Sequence, residues 1–221
     1  MWIRTVDYIL AAAGVAGHAT LLAILVRRRL LARVPVFALL IAFYLLRSLL
    51  FLVSHFPRNW PRSYWLLIYF DPGLQLLVML ALARVAWRFG RSRIALAIPV
   101  MVAIALTVAW YIGASRYTPA NLALKLSVFV SALWLMVAGC LVLLLRQADV
   151  ITKRLSLGIA FGFAAYSAVN IATEIVRMQF ALRPQPALFT GLSFFRALVY
   201  LGCLAAWSIL FFRDRSRLTS I

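Results

Sequence analysis

The chain has 221 residues, 66% of them hydrophobic and 13% charged, with a mean hydropathy of +0.99. That composition excludes an ordinary soluble globular domain. A formal charge of +18 would suggest nucleic acid in a soluble protein. Here, however, Lys and Arg gather in short clusters between apolar runs of about 20 residues, the pattern of cytoplasmic loops rather than of a nucleic-acid-binding face. The expected environment is the lipid bilayer, with no nucleic-acid partner.

The first run, 6–26, has Arg4 before it and Arg27, Arg28, Arg29 and Arg33 after it, which places the N-terminus outside. The small residues around Ala11–Gly14 resemble a signal-peptide cleavage site, but the basic residues flank the wrong end, so a retained helix is expected. Ala13 and Gly17 on it would let a neighbouring helix approach closely. The second run, 35–54, leads into a turn rich in proline and aromatics, where Trp60, Tyr64 and Trp65 fit an interfacial belt. The third, 63–87, carries Asp71-Pro72-Gly73 in its middle and exits into Arg88, Arg91 and Arg93. Proline removes a helix donor and glycine loosens the backbone, so a break beside the carboxylate is expected.

The fourth run, 94–113, is the least polar and is expected to face lipid, with Pro99 as a kink. The fifth, 121–145, ends in Arg146, Lys153 and Arg154; the sixth is 155–178; the seventh, 187–212, is closed by Arg213, Arg215 and Arg217. The fold predicted is therefore all-α: a single seven-helix transmembrane domain over 1–221 with the N-terminus outside and the C-terminus inside. Fourteen basic residues fall on the inner side of this arrangement and seven on the outer, with Arg47 and Arg196 inside spans, in keeping with the positive-inside rule. Arginine far outnumbers lysine, and Ala and Leu dominate, which points to a multi-pass protein of a bacterial inner membrane.

Ionisable residues at membrane depth are costly and mark functional sites by default. In an antiparallel hairpin, residues equidistant from the turn lie at one level. Arg47 and Asp71 are equidistant from Asn59, and Glu174 and Arg196 from Gln185, so each pair is expected to meet. Polar residues around them keep helical spacing: Tyr44, Arg47 and Ser48; Asp71 and Gln75; Ser167, Asn170, Glu174 and Arg177; Ser193, Arg196, Tyr200 and Cys203. The candidate ligand-binding set is Arg47, Asp71, Gln75, Asn170, Glu174, Arg196 and Tyr200. It is expected to form an outward-facing charged cavity for a small polar ligand. The competing expectation is that the pairs are structural and fix helix register.

Catalysis finds little support. The last helix has no lysine for a retinal Schiff base, His18 and His55 are too far apart in depth to share a haem, and Asp71 has no second aspartate at its level. Cys140 and Cys203 sit in apolar runs and offer neither a disulfide framework nor metal spacing. No nucleophile, base and orienter set emerges; no catalytic residue, cofactor or metal is expected. His18 reads as a packed, hydrogen-bonded side chain. A non-catalytic sensor or membrane-complex subunit with a cytoplasmic or membrane protein partner is the leading expectation. A transporter of a small zwitterionic or anionic solute is the alternative, and a membrane-embedded enzyme the least supported.

Overall fold

A computed structural model describes residues 2–53, 62–113, 119–180 and 185–213. They are helical nearly throughout: α1 (Trp2–Arg27), α2 (Pro35–Val53), α3 (Arg62–Gly113), α4 (Pro119–Leu144), α5 (Val150–Gln179) and α6 (Pro186–Arg213), with short 3-10 turns at Leu30–Ala32 and Leu145–Gln147. Six stretches are long and apolar enough to cross a membrane: Thr5–Arg27, Pro35–Leu52, Phe70–Phe89, Lys125–Leu144, Val150–Arg177 and Pro186–Arg213. A shorter apolar stretch covers Val100–Tyr111. The protein is an all-helical, multi-pass membrane protein.

Local chemistry explains where the helices start. Proline opens α2, α4 and α6, the position where its missing N–H costs nothing and its fixed φ suits the helix. Asp149 opens α5 by accepting a hydrogen bond from the Thr152 N–H at 2.9 Å, an N-cap that satisfies one of the orphan donors of the first turn. After α1 the chain turns through Arg29, which adopts the left-handed conformation (φ 54°, ψ 29°) more usual for glycine at a helix C-terminus.

Two expectations are corrected in α3. The loop predicted at Arg88–Arg93 is helical, and α3 runs unbroken for 52 residues. Only Gly90 disfavours a helix there, whereas arginine is a good helix former. Nor is there a break at Pro72-Gly73: the helix continues through both. The proline costs one hydrogen bond, to the Ile68 carbonyl, and its neighbours hold the rest of the ladder. The turn around Asn59 and the residues 181–184 lie outside the described residues, as do the side chains of Tyr64 and Trp65.

The chain divides into two compact units, residues 1–74 with 200–221, and residues 75–199. In the first, Leu21, Leu25, Leu40, Ile41, Trp207 and Phe211 are fully buried. Phe37 packs edge-on against Trp207 with ring centroids 5.3 Å apart, a geometry aromatic quadrupoles favour. A Cβ on Gly17 would lie 3.0 Å from Leu204 Cδ1, so the expected small-residue approach does occur there, between α1 and α6. Ala13 is exposed and takes no part in it.

In the second unit, α4 and α5 form an antiparallel hairpin joined through residues 145–149. Trp134 is fully buried and stacks on Phe163 at 4.4 Å. Both units leave large apolar side chains on their surface, such as Ile9, Leu39 and Phe70 in the first and Leu80, Trp110 and Phe195 in the second. Water would disfavour so much exposed apolar area, and lipid accepts it.

Candidate functional site

The polar side chains gather into two clusters, one in each unit. In the first, Tyr44 and Arg47 stand one turn apart on α2 and reach the same carboxylate on α3. The Tyr44 hydroxyl donates to Asp71 Oδ1 at 2.6 Å, and Arg47 Nη1 donates to Asp71 Oδ2 at 2.9 Å. The expected Arg47–Asp71 pair therefore forms, with both carboxylate oxygens engaged. Arg47 is 38% and Asp71 20% exposed at the side chain, so this pair lies towards the rim.

Deeper in the same unit, His18 on α1 is 2% exposed, and its Nε2 lies 2.8 Å from the Tyr200 hydroxyl on α6. The Tyr44 ring touches both: its centroid is 5.8 Å from that of His18 and 5.9 Å from that of Tyr200, edge-on. His18 Nδ1 is buried and has no hydrogen-bond partner. The Gly14 carbonyl, one turn earlier on α1, bears on the imidazole electrostatically but closes no hydrogen bond of good geometry.

The second cluster joins α4, α5 and α6. Glu174, 6% exposed, accepts from Arg177 Nη1 at 2.7 Å and from Arg196 Nη1 at 3.2 Å. The expected Glu174–Arg196 pair is thus present, but a second guanidinium shares the same oxygen. Arg196 also donates to Asn170 Oδ1 at 2.8 Å. Asn170 in turn donates to Ser127 at 3.0 Å and Ser131 at 2.9 Å, both on α4. Arg177 Nη2 reaches the Ser193 hydroxyl at 2.6 Å and the Phe189 carbonyl at 3.3 Å. Its Nε is buried without a partner.

Charge decides what this second cluster can do. One carboxylate faces two guanidiniums, and arginine stays ionised in any protein environment, so the group carries a net positive charge. A surplus cation beside lipid is costly unless something answers it. The two arginine side chains remain 24% and 30% exposed, so the cluster is not sealed off from a small molecule. Two guanidiniums on a single carboxylate suit recognition of negative charge.

Of the seven residues expected from sequence, Arg47, Asp71 and Tyr200 fall in the first cluster, and Asn170, Glu174 and Arg196 in the second. Gln75 belongs to the second unit and accepts from the buried Trp134 indole N–H at 2.9 Å. Arg177, expected on the same polar stripe as Glu174 but not in the ligand-binding set, joins the Glu174 cluster. Its spacing of three from Glu174 was the available signal, since residues three apart share a helix face. Ser127 and Ser131, four apart in an apolar run, were legible in the same way. No protein-family model, curated protein sequence or solved structure matches this chain, and its geometry therefore carries the functional reading.

Proposed function

We propose that this is a non-catalytic membrane protein that recognises a small anion, or the anionic end of a zwitterion, through Arg177 and Arg196, and acts as a sensor or membrane-complex subunit with a partner protein on the inner side. The observation that carries the reading is the pair of partly exposed arginines on one buried carboxylate. Glu174 holds the two arginines in place and Asn170 fixes Arg196, an arrangement that pre-positions donors for a bidentate anion. Transport is the weaker reading. It leaned on a helix interrupted at Pro72-Gly73, and α3 is continuous there.

The proposal includes seven crossings of a bacterial inner membrane, with the N-terminus outside and the anion site in the outer half. The basic clusters at Arg27–Arg33, Arg146–Arg154 and Arg213 can all lie inside only if residues 94–113 cross back. A straight helix of 52 residues is about 78 Å long, far more than the roughly 30 Å of hydrocarbon it must cross. Seven crossings therefore require α3 to depart in a bilayer from this continuous helix, with Gly90, the poorest helix former of the Arg88–Arg93 segment, as the place for it.

Thermal unfolding of the purified protein against phosphate, sulfate, acetate, succinate, glutamate and glycine, at matched ionic strength, tests the function. At least one anion should raise the midpoint saturably in the wild type and not in Arg196→Gln. A uniform response to all salts would leave the cluster as a structural lock between α4, α5 and α6.

A further inference from the structure

The first unit contains a feature that anion recognition does not use, a fully buried histidine with one ring nitrogen unmatched. The other polar side chains of its cluster are engaged: Arg47 and Tyr44 hold Asp71, and Tyr200 meets His18 Nε2. An imidazole always carries at least one donor or acceptor on each nitrogen. If Nε2 donates to Tyr200, Nδ1 is a bare lone pair; if Nε2 accepts, Nδ1 is an N–H with nothing to receive it. A histidine kept only for packing would be better replaced by an apolar ring of similar volume, which leaves no buried polar atom unmet.

We propose that His18 is a proton-binding site within the membrane, which takes up a proton from the aqueous phase by way of the Arg47–Asp71 rim and the two tyrosines. Arg47 is 38% and Asp71 20% exposed at the side chain, Tyr200 is half-buried, and Tyr44 and His18 are buried at 7% and 2%. Tyr44 links the two groups, its hydroxyl on Asp71 and its ring against His18 and Tyr200, and phenol hydroxyls can both donate and accept. The step is simple in balance: one proton adds to the free ring nitrogen, no other bond breaks, and the cluster gains one positive charge.

The charged and titratable groups facing His18 come from every helix around it. α2 contributes Tyr44 against the ring and the charge of Arg47, α6 contributes Tyr200, and Asp71 on α3 acts through its contacts with Tyr44 and Arg47. Arg47 opposes the imidazolium, and Asp71, held against it at 2.9 Å, offsets part of that charge. Anything that separates that pair would change how readily His18 holds its proton. This site is independent of the Arg177–Arg196 proposal.

The chain has only two histidines, His18 and His55, which makes the test direct. His55→Gln protein labelled at the histidine ring, in lipid nanodiscs, should show one NMR titration between about pH 4 and pH 9, the range histidines sample. Asp71→Asn should move its midpoint down and Arg47→Gln should move it up, each by at least about half a pH unit. Tyr200→Phe should change the ring tautomer signature. No titration across that range in the parent protein would overturn the proposal. So would a midpoint that ignores both charge changes, since the rim would then have no hold on the imidazole.

Discussion

Replacing Glu174 by Gln keeps the side chain's shape and one acceptor but removes its charge, and the cost can be worked from the contacts. Two charged hydrogen bonds, at 2.7 and 3.2 Å, become ordinary ones, a loss of about 1–3 kcal/mol in all. The guanidinium–guanidinium repulsion is the same with either side chain and cancels; what goes is the carboxylate's Coulombic hold on the two arginines, roughly 4 kcal/mol at an effective dielectric near 20. Exposure of 24% and 30% at the two arginines lets solvent screen a good part of that, about half or more. The net loss is about 3 kcal/mol, in line with breaking a buried pair. For a chain of this size the melting midpoint should fall by about 6–12 °C. Adding Arg196→Gln should recover part of the loss, with a coupling of at least about 1 kcal/mol in a double-mutant cycle followed by tryptophan fluorescence in detergent. A fall of less than about 2 °C, or losses that simply add, would refute the idea that Glu174 is what holds the two guanidiniums together.

Other outcomes follow from the helices themselves. A Cβ at Gly73 meets nothing within 4 Å, so Gly73→Ala should leave stability unchanged or raise it by about 0.5–1 kcal/mol. Gly17→Leu, against Leu204, should force α1 and α6 apart and cost more than about 2 kcal/mol; equal effects on the melting curves would show that neither site is read correctly. Asp71→Asn should destabilise, and a second change of Arg47→Gln should recover part of it in the same assay; full additivity would mean the pair does not interact. The Thr152 N–H bond holds the Asp149 carboxyl below its ordinary value of 3.8. Its stabilisation is therefore complete above that value and is lost as the pH falls through the lower folded value. Asp149→Ala should cost about 1 kcal/mol near neutral pH, and the gap to wild type should close in acid. A gap that persists unchanged at low pH would assign the effect to something other than the cap.

Much of the fold was legible because the bilayer imposes a simple rule: apolar runs of fixed length, flanked by arginine. The starts at Pro35 and Pro186 and the two ion pairs were readable from spacing alone, since hairpin geometry sets depth. The continuity of α3 was not, because Arg88–Arg93 signals a membrane boundary by charge while its residues favour a helix by propensity. Arg177 shows a related limit. A charge near a span's end reads as a loop residue, yet its long side chain reaches back one turn to Glu174 and makes a three-group cluster out of a pair. That third member also alters a natural test. Exchanging the charges as Glu174→Arg with Arg196→Glu would set the new arginine against Arg177 on the same face of α5, so the exchange would not be neutral even for a purely structural lock. The contact of His18 was hidden for a different reason: its partner Tyr200 is 182 positions away, and no local pattern reports such a contact.

The most direct measurement is calorimetric titration of the protein in nanodiscs with the same anions, in three forms: wild type, Arg196→Gln and Glu174→Gln. The account predicts saturable binding of at least one anion to the wild type. Affinity should fall by about tenfold or more in Arg196→Gln, the worth of a charged hydrogen bond, and fall in Glu174→Gln as well, where the two arginines lose the carboxylate that holds them in place. Absence of binding by every anion, or an affinity that neither substitution moves, would contradict it.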